Sequence, residues 1–122
     1  MRTGERNAAI RLAGFAGALF AAMAVALSAY AAHAVLEPQA RERLITATLF
    51  AFGHGVAITA LARHGAHWFG GLSLIAMLLG TLLFAGSLVG AVFAHSSTAL
   101  APIGGMLVIA GWLMLAVYSL RR

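Results

Sequence analysis

The 122-residue chain contains no cysteine, which excludes a disulfide, a thiol nucleophile and a thiolate metal site. Lysine and aspartate are missing as well, so the charge is carried by eight arginines and three glutamates. Charged residues make up only 9% of the chain, whereas a soluble domain carries about a quarter. That shortage excludes an ordinary water-soluble domain and a disordered tail. What is present is apolar: 62% of the residues are hydrophobic and the mean hydropathy is +0.95. A bilayer crossing takes about 20 mostly apolar residues, so the chain has length for roughly four crossings and no separate catalytic domain.

The net charge of +5 does not point to nucleic acid, because the arginines form no stripe. They flank the apolar runs, where they meet lipid headgroups and set orientation. Four apolar runs are expected to be helices, at about residues 12–36, 44–62, 68–94 and 99–120 of a single domain 1–122. The first ends in Ala32-His33-Ala34, a pattern resembling a signal-peptide cleavage site, but its length favours a retained helix. Pro38 bends the chain, and residues 39–43 form a polar helical lead-in with Glu37 and Arg41 spaced i,i+4. The third run, Trp68 to Ala94, would be about 40 Å long as a helix, so tilt or projection is expected. Ser96, Ser97 and Thr98 offer hydroxyl caps for the fourth.

An even number of crossings returns the chain to its starting side. Arg2, Arg6, Arg11, Arg63, Arg121 and Arg122 then share one face, against Arg41 and Arg43 on the other. Positive residues favour the cytoplasm, so both termini are expected inside. The expected fold is all-α: an integral-membrane, up-down four-helix bundle with short loops. Small residues should hold it together, since lipid supplies no hydrophobic force between helices. Gly86-Ser87-Leu88-Val89-Gly90 is a GxxxG, Gly17 and Ala21 repeat its spacing, and Gly104, Gly105 and Gly111 follow. Intrachain packing is the favoured role, with self-association as the alternative.

Five segments occur together: Ala31-Ala32-His33-Ala34, His54-Gly55-Val56-Ala57, Leu83-Phe84-Ala85-Gly86-Ser87-Leu88, Pro102-Ile103-Gly104-Gly105 and Gly111-Trp112. In this order they resemble the YgdD-like family of small four-helix membrane proteins, whose eukaryotic relatives are called transmembrane protein 256. The resemblance covers nearly the whole chain. It departs at Ala31, Ala32 and Ala34, where the family tends to have glycine, and at Ala85 and Val89. It implies a bacterial inner-membrane protein and brings no established activity.

Candidate chemistry centres on histidine. His54 lies about 15 Å along the helix from Leu44, which places it deep in the apolar layer, where an ionisable group suggests function. No carboxylate shares that depth, so the favoured reading is a neutral ring bonded to a carbonyl or to a hydroxyl such as Thr81 or Ser87. His33 and His95, with Glu37 and Glu42, would make at best a weak metal site; His64 and His67 supply only two ligands. Pro102-Ile103-Gly104-Gly105 could expose carbonyls to an ion, although a helix start is favoured. Trp112, inside the last run, needs a partner for its indole N–H.

No nucleophile, acid–base pair or metal set supports an enzyme or a cofactor. The expected role is a structural or accessory membrane protein, in contact with lipid and packed with itself or a larger membrane complex. The alternative is a small transporter or channel using His54. Small multidrug exporters need a carboxylate within the first helix, and Glu5, Glu37 and Glu42 all lie outside the apolar runs. Fluoride channels use polar pore residues and dual topology, and the arginine asymmetry argues against the latter.

Overall fold

The computed structural model describes residues 2–121, and Arg122 lies outside the described residues. Four α-helices follow one another: α1 (Thr3–His33), α2 (Pro38–Ala60), α3 (Trp68–Phe93) and α4 (Leu100–Arg121). A 3₁₀ turn (Ala62–Ala66) links α2 to α3. Each α-helix is long and apolar enough to cross a membrane.

α1 begins nine residues earlier than the apolar run. The Glu5 carboxylate accepts from the Arg2 backbone N–H at 2.9 Å, satisfying a donor that a helix start leaves open. Charge at Arg6 and Arg11 does not interrupt a helix, so apolarity marked the lipid-facing part and not the end. α1 stops at His33 instead of continuing to Leu36. Ala34 is already extended, with φ −79° and ψ 149°, and the chain stays non-helical to Pro38. Pro38 then occupies the first helical position of α2, where its missing N–H costs nothing. The expected lead-in and the second run are therefore one continuous helix.

His67 caps α3: its ring Nδ1 accepts from the Phe69 N–H at 3.2 Å. At the other end, Ala94 N–H bonds to the Gly90 carbonyl at 2.8 Å and His95 takes φ 54°, the left-handed position that commonly ends a helix. Ser97 Oγ accepts from the Ala99 N–H at 3.1 Å, a turn bond just ahead of α4 and not a cap on its first-turn N–H groups.

The helices alternate in direction. The Tyr30 and Phe93 rings meet at 5.3 Å near the ends of α1 and α3, while His64 and His67 each lie 5.2 Å from Tyr118 near the end of α4. One end of the molecule thus carries the 62–66 turn and the outer ends of α1 and α4 (the terminal end), and the other carries the 34–37 and 94–99 links (the loop end). The pairs α1/α2, α2/α3 and α3/α4 pack along their lengths, but α1 and α4 do not approach each other among the described residues. The result is an open, serpentine bundle with α2 and α3 in the middle. The 3₁₀ turn is wedged between α1 and α3 at the terminal end, and Ile58, Leu74 and Met77 form the buried cluster beside it.

Glycine sets the helix spacing. A Cβ on Gly17 would fall 2.6 Å from the Gly55 carbonyl, and one on Gly55 would fall 2.6 Å from the Gly17 carbonyl. Gly80 and Gly104 make the same reciprocal approach between α3 and α4 at 2.7 Å. Gly111 lies against Met77 and the Ser73 carbonyl. Such close backbone approach replaces hydrophobic burial as the source of adhesion in lipid. The Gly86–Gly90 pair plays no such part within the chain. Nothing lies within 4 Å of where a Gly86 side chain would start, Gly90 meets only the Ser96 hydroxyl, and Gly105 meets only the Phe84 ring at an ordinary 3.8 Å.

Candidate functional site

His54, the histidine within the apolar runs, is engaged at both ring nitrogens. Position 54 lies six residues before the end of α2, and the ring of His54 is half-buried. Its Nδ1 is 2.8 Å from the Phe50 carbonyl one turn earlier. A carbonyl can only accept, so Nδ1 carries the hydrogen. Nε2 is then a free lone pair, and it accepts from the Trp112 indole N–H at 2.9 Å. The neutral Nδ1–H tautomer satisfies both contacts at once. Thr81 and Ser87, the hydroxyls expected as partners, are occupied elsewhere or buried apart. Ser87 Oγ donates to the Ser97 carbonyl at 3.4 Å, and Thr81 Oγ1 is buried without a partner.

Rings continue the link. Phe50 stacks on His54 with ring centres 5.7 Å apart and planes 12° from parallel. Phe84 of α3 meets Phe50 at 4.4 Å. Trp112 stands edge-on to His54 at 5.9 Å. The ladder Phe84–Phe50–His54–Trp112 therefore joins three helices. It also spans α2 to α4, whose backbones do not otherwise approach.

The loop-end candidates are not brought together. His33, Glu37 and His95 are all exposed, and no three metal-ligating side chains converge among the described residues. Glu37 does not pair with Arg41. The Arg41 guanidinium reaches back to α1, donating to the Ala31 carbonyl and, at 3.0 Å, to the Ala34 carbonyl. These are among the carbonyls a helix end leaves unsatisfied, and a cation there also suits the helix dipole. Arg41 therefore serves the end of α1, and neither the i,i+4 spacing from Glu37 nor a headgroup contact identifies that partner.

At the terminal end, His64 and His67 pack on Tyr118. His67, Trp68, Phe69, Tyr118 and Arg121 line a surface cavity of about 290 Å³. Pro102 and Gly104 lie within the first turns of α4, so that segment is wound and not broken open, and Gly104 serves the α3 contact. Thr59 is a residue the sequence reading missed: Oγ1 donates to Gly55 at 2.9 Å and reaches the Gly14 carbonyl of α1 at 3.4 Å. A threonine facing a small-residue crossing is the signal that could have identified it.

Residues 24–105 match the family described as Protein of unknown function (DUF423). A UPF0382 membrane protein of Haemophilus influenzae is 36% identical over 104 residues, covering 80% of this chain and 84% of that protein. No solved structure matches significantly. The matched segment runs from the middle of α1 into the first turns of α4 and contains His54 and both reciprocal glycine crossings except Gly17. This four-helix membrane protein belongs to the DUF423 family.

Proposed function

We propose that the protein is a structural or accessory component of the bacterial inner membrane, working by packing with a second copy or with a larger membrane assembly. The carrying observation is the division of its helical glycines. Gly17, Gly55, Gly80, Gly104 and Gly111 are each closed over by a neighbouring helix, whereas Gly14, Gly53 and Gly86 face open space on α1, α2 and α3. A glycine inside a helix costs about 1 kcal/mol relative to alanine. At the second group nothing within the chain offsets that cost, and small residues facing lipid are what helix–helix association in membranes uses.

The engagement of both His54 nitrogens within the chain supports this reading over transport through a polar path. The arginine bias supports cytoplasmic termini. Kinship with the YgdD-like group and with transmembrane protein 256 is part of the same proposal, as is the absence of enzymatic activity. Native mass spectrometry after mild-detergent extraction tests it. A defined homo-oligomer or a stoichiometric complex is expected, and a protein recovered solely as a monomer would overturn the proposal.

A further inference from the structure

We propose that the His54–Trp112 bond is a proton-sensitive latch between α2 and α4. The inference concerns regulation of the bundle and stands independently of what the protein packs against.

The argument starts from donor and acceptor inventory. Indole N–H can only donate and a backbone carbonyl can only accept. With Phe50 O on one side and Trp112 Nε1 on the other, the imidazole must donate at Nδ1 and accept at Nε2. Protonation places a second hydrogen on Nε2. Two N–H groups then face each other 2.9 Å apart, and the bond becomes a repulsive contact. The bond to Phe50 is unaffected, because Nδ1 donates in both states. The charged ring also keeps its stacked neighbour Phe50, whose π face attracts a cation. Trp112 is therefore the partner that is released.

Release matters because of where the bond sits. α2 and α4 are separated along their lengths, each packed on α3, and the imidazole–indole pair bridges the groove between them. On the loop side, Gln39, Glu42, Arg43, Thr46, Phe84 and Leu88 line a cavity of about 270 Å³, and the Phe84 ring in turn packs at a tilt against Phe50. Polar side chains thus reach to within two rings of His54. Its direct neighbours carry no charge. On α2 the nearest ionisable groups are Glu42 and Arg43 toward the loop end, with Arg63 and His64 of the turn beyond the opposite end. α3 has no ionisable residue, and α4 has none before Tyr118. On α1 the nearest to the Gly17–Gly55 crossing is Arg11. No carboxylate stands by to hold the imidazolium against Trp112, so one proton switches the bridge.

The test uses the full chain in phosphatidylcholine nanodiscs. Trp68→Phe leaves Trp112 as the sole indole, and its N–H resonance reports the bond. Because the chain has no cysteine, Gly53→Cys and Leu113→Cys place spin labels on α2 and α4. Lowering the pH from about 8 to about 5 should shift the indole resonance toward its unbonded position and lengthen the label distance. His54→Gln offers an amide oxygen that accepts but does not titrate, so both changes should be lost. Trp112→Phe should hold the distance at its acidic value at either pH. An indole signal unmoved by pH, the same shift in His54→Gln, or a shift with no change in distance would each overturn the latch.

Discussion

Gly17 of α1 and Gly55 of α2 each occupy the space where the other's side chain would begin, with 2.6 Å between either virtual Cβ and the opposing carbonyl. Thr59 seals the same crossing by bonding Gly55 and reaching Gly14. Gly17→Ala should force α1 away from α2 and cost about 1–3 kcal/mol, the usual range for overpacking. Gly14→Ala, three residues away and facing open space, should be neutral or stabilising by up to about 1 kcal/mol. Thermal unfolding of the two variants in detergent distinguishes these opposite signs.

The His54–Trp112 pair should show measurable coupling. A double-mutant cycle with His54→Leu and Trp112→Phe isolates the bond, and polar pairs in membrane helices are worth about 0.6 kcal/mol on average and up to about 1.7. A coupling of that size at neutral pH is expected. A coupling indistinguishable from zero would show that the 2.9 Å contact contributes nothing to stability.

Arg41 should act as the C-terminal clamp of α1. Arg41→Met keeps the length of the stem and removes both donors to Ala31 and Ala34. Bonds from a charged donor are worth about 1.5–3 kcal/mol, so a loss at the lower end of that range is expected for a half-buried site. Hydrogen exchange at residues 30–34 should rise with it, while Glu37→Gln should leave both quantities unchanged.

His95 holds φ 54° without the freedom of glycine. His95→Gly should stabilise the turn after α3 by about 1 kcal/mol, and His95→Val should destabilise it by at least as much. Equal unfolding temperatures for the two would contradict the assignment of His95 to the helix-ending position.

Gly86→Leu separates packing within the chain from packing between chains. Nothing in the chain lies within 4 Å of where its side chain would begin, so the monomer should fold with little penalty. Oligomer or complex recovered by native mass spectrometry should fall. Unchanged assembly would remove Gly86 from the interface.

Much of this was legible because apolar runs in a membrane chain correspond to helices nearly one to one. The bounds of α3 and α4 lie within a residue of the runs, since Trp68, the 95–98 break and the terminal arginines all punctuate sharply. The start of α1 was hidden: helical backbone continues through Arg6 and Arg11, which hydropathy reads as outside. Glycine spacing was legible, but not the side of the helix that would be used. GxxxG at 86–90 has the right period and the wrong azimuth, whereas Gly55 and Gly80 carry the crossings without any such repeat. His54 stood out by depth and Trp112 by its indole. Their pairing could not be read, because 58 residues separate them and no local rule links α2 to α4.

Composition alone determined the medium and the secondary structure: backbone crossing lipid must satisfy its own hydrogen bonds, and with runs of this length the solution is four helices. The tertiary structure decided which faces those helices present to one another. In lipid that choice rests on close fit and single hydrogen bonds rather than on burying apolar area, and fit is a property of two surfaces together. Hence Gly17 against Gly55, Arg41 on the end of α1 and His54 against Trp112 emerge only when the helices are set side by side.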